Sequence, residues 1–194
     1  MQLANQTFYI AIFIVLVGLM ARFLANKDDD RAQFRVIYWP AGLSFLAASM
    51  LSFALAPWGG KIVLAFANLS LLAGIANISL LFSFWNDSLR RSTKLIGGAL
   101  IIASSLAYLY LLILGTTQDR IHLMNAVLSI FCIWQIATLI QFLKKDNAYQ
   151  IKLLLGVELF QLGARIIRSL LALGEVSHPG TLYQEDGLAF AMRI

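Results

Sequence analysis

Glu158, Gln161, Arg165 and Arg168 carry most of the chemistry this sequence can offer, because all four stand in one apolar stretch between Lys152 and Leu173. Their successive spacings of three, four and three residues put them on one side of a helix. An ionisable side chain at the centre of a bilayer costs about 3 kcal/mol or more unless it is paired or hydrated, so such groups mark functional positions. At about 1.5 Å of rise per residue from Lys152, Glu158 lies about 9 Å and Arg165 about 20 Å along the axis. A direct bond between them within the helix is therefore strained, and partners on other helices are expected. Arginine presents a planar fork of donors suited to carboxylate or phosphate. Arg165 and Arg168 thus read as a receptor for a small anion. In the competing reading Arg168 snorkels to the interface while Arg165 and Glu158 pin helices together.

Other polar residues stand within apolar stretches and could face the same interior: Asn68 and Asn77, Asn125 and Gln135, and Ser104, Ser105 and Tyr108. The candidate ligand-binding set is Arg165, Arg168, Glu158, Gln161, Asn68, Asn125 and Gln135. Trp134 beside Gln135 reads as a core aromatic or as a wall of that pocket. Cys132 lies in an apolar span and reads as a small core residue. As the one cysteine, it permits neither an internal disulfide nor a CxxC site. No Ser-His-Asp set, Walker loop, HExxH or paired acid/base carboxylates can be assembled, so no catalytic residue is assigned. His122 and His178 both fall on the outer face, so the paired in-helix histidines of a haem bundle are not offered, and a metal site shared between outer loops is the weaker alternative. Asp28-Asp29-Asp30, flanked by Lys27 and Arg31, reads as a solvated turn. No metal or cofactor is called for.

The elements that position these residues follow from hydropathy. The chain is 60% hydrophobic and 13% charged, with a mean hydropathy of +0.78. A soluble domain of this size could not hide that much apolar surface. Six stretches are long enough to cross about 30 Å of hydrocarbon: Thr7–Leu24, Arg35–Ala56, Ile62–Trp85, Leu95–Leu114, Leu123–Leu143 and Lys152–Leu173. Lipid-exposed backbone must satisfy itself, which makes the expected fold all-α integral membrane. Punctuation falls at Asn26–Asp30, Pro57-Trp58-Gly59-Gly60, Asn86-Asp87-Ser88, Gly115–Arg120 and Lys144–Asn147. A further apolar run begins at Leu188 and reads as the start of a seventh span, the alternative being a short interfacial tail. Ser70 and Gly74, and Ala99, Ala103 and Ala107, recur at the spacing of helix-contact faces.

Positive charge alternates between connections. Arg22, Lys27, Arg31 and Arg35 flank the first, Arg90, Arg91 and Lys94 the third, and Lys144, Lys145 and Lys152 the fifth, whereas the second and fourth carry only Lys61 and Arg120. Cationic loops stay cytoplasmic, so the N-terminus is expected outside. The first charge follows the first apolar run, unlike a secretory signal. The net charge of +5 is dispersed over short loops without a nucleic-acid motif, so lipid headgroups, not nucleic acid, are the expected partners.

Some of these residues form a recognisable pattern. Tyr38-Trp39-Pro40-Ala41-Gly42 opens the second span, Ala67-Asn68-Leu69 and Gly74 lie in the third, and Ser83-Phe84-Trp85 leads to Arg90-Arg91. Arg120 precedes Asn125-Ala126 and Ser129, and Ala164-Arg165 falls late in the sixth span. Residues 35–173 thereby resemble the multi-helix N-terminal membrane region of bacterial GGDEF diguanylate cyclases and related sensor histidine kinases. The resemblance implies a sensory module in the bacterial inner membrane whose last helix leads to a cytoplasmic output domain. The sequence itself contains no GGDEF or kinase motif, so any enzymatic activity belongs to a region outside it. A small transporter or channel, with Glu158 as a proton or cation carrier, and an accessory subunit of a larger complex are the rival expectations. A small anionic ligand at the outer half is expected alongside the lipid bilayer, and a homodimer is one arrangement left open.

Overall fold

A computed structural model describes residues 2–25, 37–86, 90–145 and 147–174, with the side chains of 2–4, 23–25, 168 and 170–174 outside the description. The Asp28–Asp30 triplet, His178, the Arg168 side chain and the segment from Leu188 therefore lie outside the described residues. The described chain is helical throughout: α1 (Gln2–Ala25), α2 (Tyr38–Trp85), α3 (Arg91–Leu114), α4 (Thr117–Leu143) and α5 (Tyr149–Gly174). Four of these, α1 to α4, are long and apolar enough to cross a membrane. α5 carries Lys152, Glu158, Arg165 and Arg168 along its length and is not among them.

α2 is two helices joined at one residue. Gly60 has φ 61° and ψ −150°, a conformation that a Cβ would oppose. Pro57 stands one turn earlier, where its missing N–H removes a bond from the end of the first helix. The chain reverses there. A Cβ built on Gly42 would lie 2.9 Å from Ile78 Cδ1, and one on Gly74 would lie 2.7 Å from Leu46 Cγ. Residues 42 and 78, and 46 and 74, are each equidistant from 60, so arms 38–59 and 61–85 run antiparallel. Each arm is about 33–38 Å long, enough for one crossing. The second and third apolar stretches of the sequence are these arms.

The other helices align by the same logic. Tyr9 stacks on Phe53 at 5.3 Å and Ser44 Oγ reaches Met20 Sδ at 3.1 Å, so α1 is antiparallel to the first arm. Asn68 bonds Tyr108 while Gly97 faces Leu80, so α3 is antiparallel to the second arm. Cys132 meets Glu158 and Leu139 clusters with Ile151, so α5 is antiparallel to α4. The result is an up-and-down bundle. Its centre is the second arm and α4, where Leu72, Ala76, Tyr108, Val127, Leu128 and Phe131 form the main core cluster. Between apolar helices in lipid, close contact and interhelical hydrogen bonds hold the bundle, because lipid tails remove the hydrophobic drive.

Two local expectations differ from the structure. Thr116 and Asp119 form a capping box: Thr116 Oγ1 accepts from Asp119 N at 3.2 Å and Asp119 Oδ2 accepts from Thr116 N at 2.8 Å. These bonds satisfy orphan donors at the helix start and start α4 at Thr117. Residues 117–120 are thus its first turn, not part of a loop. The small-residue face of α3 also turns outward, with Ala99 and Ala103 exposed. The helix instead buries Gly97, Ser104 and Tyr108, because the Tyr108 hydroxyl needs the Asn68 amide and an alanine methyl needs nothing.

Candidate functional site

A cavity of about 460 Å³ opens at one end of the bundle, lined by residues from every helix. That end carries the start of α1 (Asn5, Gln6), the Pro57 end of the first arm, the start of α4 (Thr117, Arg120) and Arg165 of α5. The opposite end is closed. There Asn86 Nδ2 donates to Gln141 Oε1 at 2.9 Å, Lys145 Nζ donates to the Asn86 carbonyl at 2.9 Å, and Phe82, Leu139 and Ile151 pack together.

Of the residues singled out in sequence, Asn68, Tyr108, Asn125, Gln161 and Arg165 line this cavity together. Apolar walls come from α1, α2 and, through Ile121, Met124 and Leu128, α4; polar groups come from all five helices, with both arginines on α4 and α5. Arg120 joins Arg165, and no carboxylate is among the lining residues. Arg120 is held by its own first turn: Nε donates to the Thr116 carbonyl at 3.3 Å and Nη2 to Thr117 Oγ1 at 2.8 Å. In the sequence Arg120 reads as a loop charge; the capping box at Thr116 places it in the first turn of α4.

Two further groups supply donors. Asn68 Nδ2 donates to Tyr108 Oη at 2.8 Å and to the Leu64 carbonyl at 2.9 Å. Tyr108 thus accepts from Asn68, and its own O–H remains available to an occupant of the cavity. Asn125 is 6% exposed, and its Nδ2 has no hydrogen-bond partner among the described residues. A buried amide donor without an acceptor is unfavourable by about 1–3 kcal/mol. A ligand acceptor would relieve that cost.

Glu158 and Gln135 belong to a different place. Glu158 is 9% exposed and Gln135 is 4% exposed, and neither lines the cavity. With its amide nitrogen toward Glu158, Gln135 donates to the two carboxylate oxygens at 3.1 and 2.8 Å, and its amide oxygen stands 2.8 Å from Ser79 Oγ. The Cys132 thiol faces the same residue, 3.1 Å from the Glu158 carbonyl and 3.3 Å from Oε2. Arg165 stands two turns away on α5. This cluster bridges α2, α4 and α5 and lies between the cavity and the closed end. The partners of Glu158 come from other helices, as its distance from Arg165 along α5 requires. Cys132 is therefore a neighbour of a buried carboxylate, which its apolar flanks in sequence did not signal.

Trp134 is not among the residues lining this cavity. Its indole donates to Ser83 Oγ at 3.1 Å and its ring stacks near Phe131 at 6.1 Å. Asn77 and Ser104 spend their donors on carbonyls of their own helices. Among the described residues, no three His, Cys, Asp or Glu side chains group to hold a metal. Comparison with protein-family models, with curated proteins and with solved structures found no match to this chain.

Proposed function

We propose that the chain is a membrane-embedded sensory module that binds a small anionic ligand in the open cavity and passes a helix shift to a cytoplasmic output domain. The observation that carries this reading is the cavity itself: two arginines, no carboxylate and a buried amide donor without an acceptor converge there. In the same proposal the chain crosses a bacterial inner membrane six times, through α1, the two arms of α2, α3, α4 and α5, with a seventh crossing leading to the output region. Charge supports the orientation. Lys61 and Arg120 stand at the cavity end, whereas Arg22, Arg90, Arg91, Lys94, Lys144, Lys145 and Lys152 stand at the other, so the cavity faces outward. The resemblance to GGDEF-associated and kinase-associated membrane regions supports the output class, a diguanylate cyclase or a histidine kinase.

A ligand shifts such a module only through different affinity for two helix arrangements. The cavity lies between two closely packed pairs, α1 with α2 and α4 with α5, so filling it acts where the pairs meet less extensively. Arg165→Ala in the full-length protein is expected to lower anion affinity about tenfold or more and to abolish the ligand response in the output assay. Unchanged binding and unchanged output would refute the site.

One observation favours a second reading, a small transporter. Glu158 is buried beside Gln135 and Cys132 below the cavity floor, the position of a carrier carboxylate in a membrane path. Flux through the purified chain in liposomes, lost in Glu158→Gln, would establish transport and displace the sensor. With the sensor reading correct, neither form conducts above the protein-free background.

A further inference from the structure

The contacts between helices put four polar side chains of the cavity at one depth. Cys132 meets Glu158 and Leu139 clusters with Ile151, so seven residues toward the open end from Cys132 and from Glu158 bring Asn125 level with Arg165. Gln135 meets Ser79 Oγ at 2.8 Å, and ten residues toward the open end along these parallel helices bring Asn125 level with Leu69, next to Asn68. Asn68 donates to Tyr108 Oη. Tyr108 in turn clusters with Met124 and Leu128, both within one turn of Asn125 on α4.

Rings stand at the same depth on the other side of the cavity. Leu46 lies against Gly74, and six residues toward the open end from each arrive at Ser52 and Asn68, so Phe53 is level with Asn68. Tyr9 stacks on Phe53 at 5.3 Å with 25° between the planes, and Phe8 meets Tyr9 edge-on at 5.7 Å. All three rings line the cavity. Because α1 packs on α2 and α4 packs on α5, these rings stand across the cavity from Asn125 and Arg165. Asn5 and Gln6 lie about one turn nearer the open end on α1.

This layer calls for an acceptor on one side and a flat apolar body on the other. Asn125 is 6% exposed and its Nδ2 has no partner among the described residues, while Tyr108 accepts from Asn68 and keeps its own O–H to donate. Two neutral donors suit the two oxygens of one carboxylate. The charges of Arg165, at this depth, and of Arg120, five residues nearer the open end, favour an anion through space whatever their N–H groups bond. A bare inorganic anion would leave the rings uncovered, and an aliphatic acid would cover them without the ring-to-ring geometry that adds to simple burial. We propose that the ligand is a small aromatic carboxylate, its oxygens accepting from Asn125 Nδ2 and Tyr108 Oη and its ring packed on Tyr9 and Phe53. This rests on the anion-binding reading of the cavity and narrows it to one ligand class. A volume of about 460 Å³ holds a ring and its substituents.

The test is a set of separate calorimetric titrations of benzoate, cyclohexanecarboxylate, acetate, phosphate and benzamide into the purified chain in zwitterionic lipid nanodiscs, with empty nanodiscs as the blank. Saturable benzoate binding is expected, about threefold or more tighter than cyclohexanecarboxylate and about tenfold or more tighter than benzamide. Asn125→Leu, close to the native residue in size, is expected to weaken benzoate about fivefold or more. Its unfolding midpoint without ligand should equal or exceed that of the parent chain, because the change removes a donor that has no acceptor in the empty cavity. Phe53→Leu is expected to erase the preference for benzoate over cyclohexanecarboxylate. Benzoate bound no better than cyclohexanecarboxylate, acetate or phosphate, or a preference that survives Phe53→Leu, overturns the aromatic ligand and leaves the anion site standing. Unchanged benzoate binding in Asn125→Leu, or a lowered midpoint in that variant, overturns Asn125 as the ligand donor and the proposal with it. Benzamide bound as tightly as benzoate, or no binding of any anion, removes both readings.

Discussion

Gly74→Leu is expected to lower stability in mild detergent by about 3 kcal/mol, at the upper end of overpacking costs, and to shift the unfolding midpoint accordingly. At Gly74 the added Cβ alone would lie 2.7 Å from Leu46 Cγ and 3.1 Å from the Leu46 backbone nitrogen. The side chain could rotate away, but the backbone cannot. The two arms would have to part along their length, and the core cluster built on Leu72 and Ala76 would loosen with them. Gly98→Leu is the internal control: nothing lies within 4 Å of a Cβ built there, so the same added volume faces outward and costs little. Equal destabilisation by both would mean that the arms do not meet at Gly74.

Gln135→Leu should be the second large effect, about 2 kcal/mol, because it removes the amide that donates to both Glu158 carboxylate oxygens and leaves the buried acid with only the weak Cys132 thiol donor. Removing the acid as well should recover most of that cost, since an apolar pair of similar volume needs no hydrogen bonds. A double-mutant cycle with Glu158→Leu, read by chemical unfolding in detergent, is therefore expected to show the double variant more stable than Gln135→Leu alone. Additive losses would mean that the two side chains act independently and that the cluster is not a unit.

The bundle was legible in the sequence because hydropathy sets where lipid-exposed backbone must be helical. Pro57 and Gly60 announced the reversal inside α2, although the helix runs on past the expected end at Ala56 to that point. The start of α4 was hidden, because Thr116, Asp119 and Arg120 are polar and read as a loop until the reciprocal bonds between Thr116 and Asp119 are seen. The orientation of α3 was hidden for a related reason: its alanines mark a face that could pack, while the position of Asn68 on another helix decides which face does.

For the site, polar residues in apolar stretches were the right signal, but sequence could not sort them. Asn68, Asn125, Gln161 and Arg165 share the cavity, whereas Gln135 and Glu158 form a separate cluster with Cys132. Gln135 lies ten residues, nearly three turns, beyond Asn125 on α4, about 15 Å deeper. Depth along a helix therefore separates a ligand-facing amide from a structural one when both are drawn from the same composition. Arg120 was outside the candidate set because nothing in its own neighbourhood tells that the α4 N-terminus faces Arg165 across the bundle.

Thiol accessibility in intact cells tests most directly whether the cationic cavity opens outward. With the single native thiol removed by Cys132→Ser, a cysteine is placed at Gln161 in the cavity lining and, separately, at Lys144 at the opposite end. An impermeant anionic thiol reagent is expected to label Gln161→Cys from outside, faster than a cationic reagent of equal size, with that preference lost on Arg165→Gln. Lys144→Cys should label only after the cells are permeabilised. Labelling of Lys144→Cys in intact cells, with Gln161→Cys protected or with no preference for the anionic reagent, would contradict the account.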